Sequence, residues 1–204
     1  MLTGKLIGLG GETRRNPWAA FKRLVARSGE PMVRLGVRQA MRIMGHQFVM
    51  GRSIDEALDR STEKDGASYR HSFDMLGEAA LTHADAERYF VADQVAIRAI
   101  GARGPYADIV AAPSISVKLS ALHPRYEFAQ RERVLVELTP KVLALAKLAR
   151  SVGIPMTVDA EEADRLELSL DIMATIFAHP QLEGWDGFGL AVQAYQKRAL
   201  PLID

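Results

Sequence analysis

The 204 residues contain no cysteine, which excludes disulfides, thiolate metal sites and a cysteine nucleophile. No stretch approaches the roughly 18 consecutive apolar residues that a membrane helix needs. The opening MLTGKLIGLGGETRRN lacks the apolar core and small-residue cleavage site of a secretory leader. The five histidines include no H-x-x-x-H pair, so a helical zinc site is not expected. Neither a G-x-G-x-x-G between strand and helix nor a G-x-x-x-x-G-K-[ST] loop occurs, which argues against a doubly wound nucleotide-binding domain. Acidic residues are scarce at one end. Residues 1–53 carry ten Lys/Arg against Glu12 and Glu30, a net of +8, whereas residues 54–204 carry a net of −7. A basic arm ahead of a more acidic body is the expected organisation, with an arm over 1–66 and a body over 67–204.

What is present falls into alternating periods. In the arm, PWAAFKRLVARSG places Trp18, Phe21, Leu24 and Val25 at helical spacing before a glycine stop. A second helix, EPMVRLGVRQAMRIMGHQF, gathers Val33, Val37, Ala40, Met41 and Met44 on one face, beside a stripe of Arg34, Arg38 and Arg42. Such a stripe is either a solvated face or a surface for phosphates or anionic lipid. No aromatic side chain stands within it to form a stacking platform. SIDEALDRSTEKDG reads as a short capped helix.

The body then alternates between β-prone runs (YRHSFDML, SISVKLSAL, IPMTVD, GFGLAVQAY) and amphipathic helices. One helix is expected over THADAERYFVADQVAIRAIG and one over Phe128–Ser151. A third should bury Ala163, Leu166, Leu170, Met173 and Phe177. This βαβ order predicts a parallel sheet and an α/β fold: about the first four β/α units of a (β/α)8 TIM-type barrel, preceded by a helical arm. A complete barrel takes about 250 residues, so the body corresponds to half of one.

In such folds chemistry gathers where strands end. The polar residues at those points are Asp74 and Glu78, Lys118, Asp159 and Gln193. A carboxylate, a lysine and an amide on one rim suit a small charged substrate beside a polar cofactor edge; salt bridges and caps under the loops are the alternative. In MTVDAEEADRLELSL, Glu161, Glu162 and Asp164 read as a helix start, where carboxylates favour the positive end of the dipole. A calcium loop would need a turn glycine that this stretch lacks. Asp159 stands apart, at the end of the strand.

RHSFDMLGEAALT, SISVKLSALHPRYE, VDAEEADRLELSLDIM and GWDGFGLAVQAYQKR resemble the proline dehydrogenase domain of bacterial proline utilization A. GEPMVRLGVRQAMRIMGHQFVMG is similar to the helical segment ahead of that family's barrel, and the likeness runs from about Thr3 onward. The resemblance implies a bifunctional flavoenzyme with a glutamate-semialdehyde dehydrogenase domain elsewhere. It also implies non-covalent FAD, and oxidation of L-proline to 1-pyrroline-5-carboxylate by hydride transfer to the flavin. A membrane quinone would then accept the electrons, from an enzyme that is cytoplasmic or peripheral at the inner membrane. By the same resemblance Lys118 pairs with the proline carboxylate and Asp159 is an active-site aspartate. Glu78 pairs with a substrate-binding arginine, and Gln193 contacts the flavin.

The family's RLVKGAYWD strand and its YxxRR helix are not found here. The expectation is therefore an N-terminal piece of the enzyme domain, inactive alone. The family's ribbon-helix-helix segment would precede Met1, so no stable nucleic-acid partner is expected of this segment; a homo-oligomer is compatible with it. The alternative function is a binding module for nucleic acid or a membrane surface, built on the basic arm.

Overall fold

The computed structural model describes residues 17–63 and 66–203. The chain divides into two compact units, Met1–Met50 and Gly51–Asp204. In the first, α1 is a single helix, Pro17–Phe48, with Pro31 inside it. The two helices expected from the sequence are therefore one, and neither Gly29 nor Pro31 stops it. A proline removes only its own N–H from the ladder, a cost of about 3 kcal/mol that the residues on either side can offset. Arg34, Arg38, Arg42, Val37, Met41 and Met44 are all exposed. The apolar set Trp18, Phe21, Leu24 and Val25 lies outside the described side chains, as does Val33.

The second unit begins at Gly51 rather than at residue 67, because α2 (Ile54–Ser61) packs its buried Ile54, Ala57 and Leu58 with the body. Ser53 caps it, accepting from the Glu56 N–H. Next come β1 (Ser72–Asp74), α3 (His83–Gly101), β2 (Ser114–Val117) and the one-turn α4 (Leu119–Leu122). They are followed by α5 (Arg131–Ser151), β3 (Met156–Val158), α6 (Leu166–Phe177), β4 (Phe188–Leu190) and α7 (Ala199–Ile203). Thr82 and Asp85 form a reciprocal capping box that fixes where α3 starts, a device worth about 1 kcal/mol.

The four strands are all parallel, in the order β1-β2-β3-β4. α3 packs on α5 and α5 on α6, so the crossover helices form one layer. Strand order without reversal and helices on one face mark a singly wound β/α arc of the barrel type; a doubly wound sheet reverses at its switch point. The core lies between this layer and one face of the sheet: Phe73, Ile115, Val117, Met156 and Val158 from the strands, with Ile97, Ile100, Leu138, Leu145, Ile172 and Ile176 from the helices.

The buried face of α6 differs from expectation, and that of α3 includes an acid. On α3 the buried set is Ala86, Asp93, Ala96, Ile97 and Ile100, with Tyr89 and Phe90 only half-buried. On α6 it is Leu168, Ser169, Ile172, Met173 and Ile176, while Phe177 is 74% exposed. LELSLDIMATIF holds two overlapping apolar stripes, and the one spaced 168, 172, 176 meets α5. The expected first turn of this helix is also different: Ala163–Arg165 is a separate 3-10 turn, and α6 begins only at Leu166.

Candidate active site

SISVK alternates in a parallel strand, where two-sided burial would favour a continuous apolar run. The register explains it. Asp74, Ser116, Thr157 and Gly189 stand in one row across the sheet, pointing away from the helices because successive side chains alternate. Ser72 and Ser114 lie on the same face below them. A filled barrel stacks bulky branched residues there; these strands present hydroxyls and a glycine instead.

Lys118 and Asp159 follow directly on β2 and β3, at the rim of that face. Lys118 Nζ lies 2.5 Å from Asp74 Oδ2 and 3.2 Å from Asp159 Oδ2. Ser116 Oγ donates to Asp159 Oδ1. Burial by itself would lower the lysine pKa, but its bonds to Asp74 and Asp159 outweigh this and raise it. The lysine is thus a fixed cation between two carboxylates, and its side chain is 20% exposed. A ligand carboxylate can compete for it, while the aspartates suit a ligand ammonium.

Of the two aspartates, Asp74 makes the shorter contact with Lys118. Glu78, four residues on, is exposed and has no hydrogen bond or ion pair with Lys118 or Asp159. Its loop is held close to α3: a Cβ on Gly77 would stand 2.3 Å from the Tyr89 ring, and Ala79 adopts a positive φ of 50°. Gln193 lies across the rim, beyond β4. Its Nε2 donates to the Glu161 carbonyl at 3.1 Å, and its Oε1 accepts from Tyr195 Oη and Gln196 Nε2. Among the described residues, one side-chain N–H of Gln193 has no acceptor. Asp159 and Gln193 line a common cleft with Tyr126, Glu161 and Arg165.

Glu161 is not part of a helix start. Its side chain, 11% exposed, accepts from the Ser120 N–H at 3.0 Å and lies 3.8 Å from Arg165. Burial pushes its pKa up against those contacts. The Arg165 guanidinium also sits 5.5 Å from the Tyr126 ring centre.

Asp93 is the group that strand-end reasoning missed. It lies on the buried face of α3 at 5% exposure, without a hydrogen-bond partner among the described residues. Burial pushes its pKa up to about 7, Asp74 adds to the rise and Lys118 opposes it. The signal was legible: Ala86, Asp93 and Ile100 recur every seven residues, and an acid on a core stripe is rare. Another buried polar group, His123, has a structural environment. Arg125 N–H donates to its Nδ1 at 3.1 Å, and its Nε2 lies 3.0 Å from Glu137. Among the described residues no helix is long and apolar enough to cross a membrane.

The sequence pattern of the family described as Proline dehydrogenase matches residues 57–204. The chain belongs to the proline dehydrogenase family. A second pattern, described as the DNA-binding domain of Proline dehydrogenase, matches residues 1–48. The chain is 49% identical over its whole length to the Bifunctional protein PutA of Klebsiella aerogenes and 48% identical to that of Rhizobium meliloti. It spans 15% and 16% of those relatives. A crystal structure of a Bradyrhizobium japonicum proline utilization A mutant matches 89% of this chain and 18% of its own, at 56% identity and a TM-score of 0.72. Another, of PutA with proline bound in remote sites, matches 89% of this chain and 19% of its own, at 57% identity and the same TM-score. The Bdellovibrio bacteriovorus protein, at 20% identity and a TM-score of 0.76 over 84% of this chain and 19% of its own, shares the fold. In this family member the matched region is an α/β arc of four parallel strands, with Lys118 at the rim of the polar face.

Proposed function

We propose that the chain supplies one arc of an FAD-dependent proline dehydrogenase site, which oxidises L-proline to 1-pyrroline-5-carboxylate in proline catabolism. The observation that carries this is the Lys118 ammonium held between Asp74 and Asp159 over a face of small polar residues. Proline is a zwitterion. Lys118 takes its carboxylate, and the proline ammonium balances the Asp74 and Asp159 carboxylates that this exchange frees. Ser116 holds Asp159 in place. Glu78, exposed on its loop, pairs with a substrate-binding arginine. FAD, when bound, supplies the two-electron acceptor for the hydride that leaves the ring carbon beside nitrogen as the amine loses its proton. The face fits a flat group: a Cβ added at Gly189 meets only Thr157 Oγ1, at 3.6 Å, and Gln193 has an N–H left for a flavin edge. A membrane quinone then receives the electrons, which places the parent enzyme in the cytoplasm or peripherally at the inner membrane.

Four strands make one arc, so the 204 residues alone are expected to show no proline:dye turnover. Stoichiometric FAD together with turnover would overturn that. In the chain continued through the rest of a proline dehydrogenase domain, Lys118→Met should lower kcat/KM for L-proline by about a hundredfold, the scale of losing a charge-assisted pair. Unchanged kinetics would remove Lys118 from the site.

A second reading rests on the 1–48 match and on the exposed Arg34, Arg38 and Arg42: a nucleic-acid surface on α1. Phosphate contacts weaken steeply with salt, so a gel shift at low and high salt decides it. Negligible binding at low salt removes this reading.

A further inference from the structure

Lys118 occupies the N-cap position of α4, and a lysine cannot accept a hydrogen bond. The helix therefore has no cap from its own side chain, and its first N–H groups need acceptors from elsewhere. Ser120 N–H finds one 41 residues along the chain, in Glu161 Oε2 at 3.0 Å. The Glu161 main-chain carbonyl accepts from Gln193 Nε2 at 3.1 Å. Ser120 in turn serves the loop after β1: its Oγ accepts from Ala79 N–H at 3.0 Å and its carbonyl from Ala80 N–H at 2.9 Å. These bonds lie beyond the sheet, whose ladder reaches the rim at Asp159 N–H to Val117 O and Ala191 N–H to Val158 O. Every βα loop bearing a candidate residue is joined to the next: Glu78 beside Ala79, Lys118 beside Ser120, Asp159 beside Glu161, then Gln193.

We propose that Glu161 is the positioning residue of this rim: its carboxylate caps the helix that Lys118 cannot cap, its carbonyl aims the Gln193 amide, and through Ser120 it holds the loop of Glu78. A functional lysine at the cap position explains why the acceptor comes from a neighbouring loop. The inference rests on the proline reading only for what the strap positions.

The test is backbone amide exchange of the 204-residue chain by NMR, with no FAD or proline present, alongside the Gln193 side-chain amide resonances. Glu161→Ala should speed exchange at Ser120, Ala79 and Ala80 by about tenfold or more, the scale of a lost hydrogen bond to a charged group. It should also shift the Gln193 side-chain signals. Glu161→Gln keeps an acceptor oxygen and should leave the three amides within about twofold of the parent, since a neutral acceptor retains most of a buried bond. An effect confined to Ser120, or equal losses in both variants, would overturn the proposal. If Glu161→Ala does not fold, Ser120→Ala decides: Ala79 exchange should rise while Gln193 stays unmoved, and an unchanged Ala79 sinks the strap. Because no cofactor enters the measurement, a failed strap leaves the proline reading standing, and a chain that never oxidises proline leaves the strap standing.

Discussion

The two faces of the same four strands have opposite chemistry. Toward the helices stand Phe73, Ile115, Val117, Met156 and Val158, all buried. Toward the other side stand Asp74, Ser116 and Thr157, with Lys118 and Asp159 at the rim. Residues one position apart in SISVK therefore have different tasks. The first face holds the unit together by burial, at about 25 cal/mol per Å² of apolar area. The second is held in place by that packing and keeps polar groups half-open for a ligand. Asp93 crosses the division, because it is an acid on the apolar side.

The largest expected effect comes from breaking the apolar face. Ile115→Ala, at a fully buried position, should cost about 3 kcal/mol in urea unfolding through lost burial and a cavity; a change below about 1 kcal/mol would mean that this layer packs loosely. Asp93→Asn removes the exception and should act in the opposite direction. The Asp93 pKa is raised in the fold from 3.8 to about 7, so the folded chain holds a proton that the unfolded chain has released. Stability then falls as pH rises through that interval and is flat above it. Asn at this position should remove the slope and raise stability at pH 8 by roughly 2 kcal/mol. Parallel pH profiles for the two proteins would refute the buried-acid account. Ser116→Ala should have the smallest effect, about 1 kcal/mol by thermal unfolding, because Asp159 keeps Lys118 as a partner. A cost as large as that of Ile115→Ala would erase the distinction between the faces.

The order of the elements was legible because each carries its own signal. Thr82 and Asp85 announce α3, and SISVK announces a strand with two different faces. Lys118 and Asp159 could be placed at the rim because strand ends are few and a charge there is conspicuous. Other features depend on partners distant in sequence. Which of the two stripes on α6 is buried is decided by α5. Glu161 looked like a helix start because acids favour that position, and only the fold brings Ser120 to it. Asp93 lies away from the strand ends, and its signal is the seven-residue recurrence of a helix face. In α1, local stop signals at Gly29 and Pro31 lost to a helix that continues on both sides.

The strands also turn as they pair. Neighbours in a sheet rotate by roughly 20–25°, so over three pairings β4 is rotated by roughly 60–75° from β1. The polar groups at the strand ends consequently do not share one direction. Lys118, the aspartates beside it and Gln193 therefore stand at strand ends of different inclination. Three polar contacts that do not lie on a line are the least needed to tell a molecule from its mirror image. The twist that L-residues impose on the backbone is thereby transferred to the rim, and a compact chiral amino acid held there should be selected by hand as well as by charge.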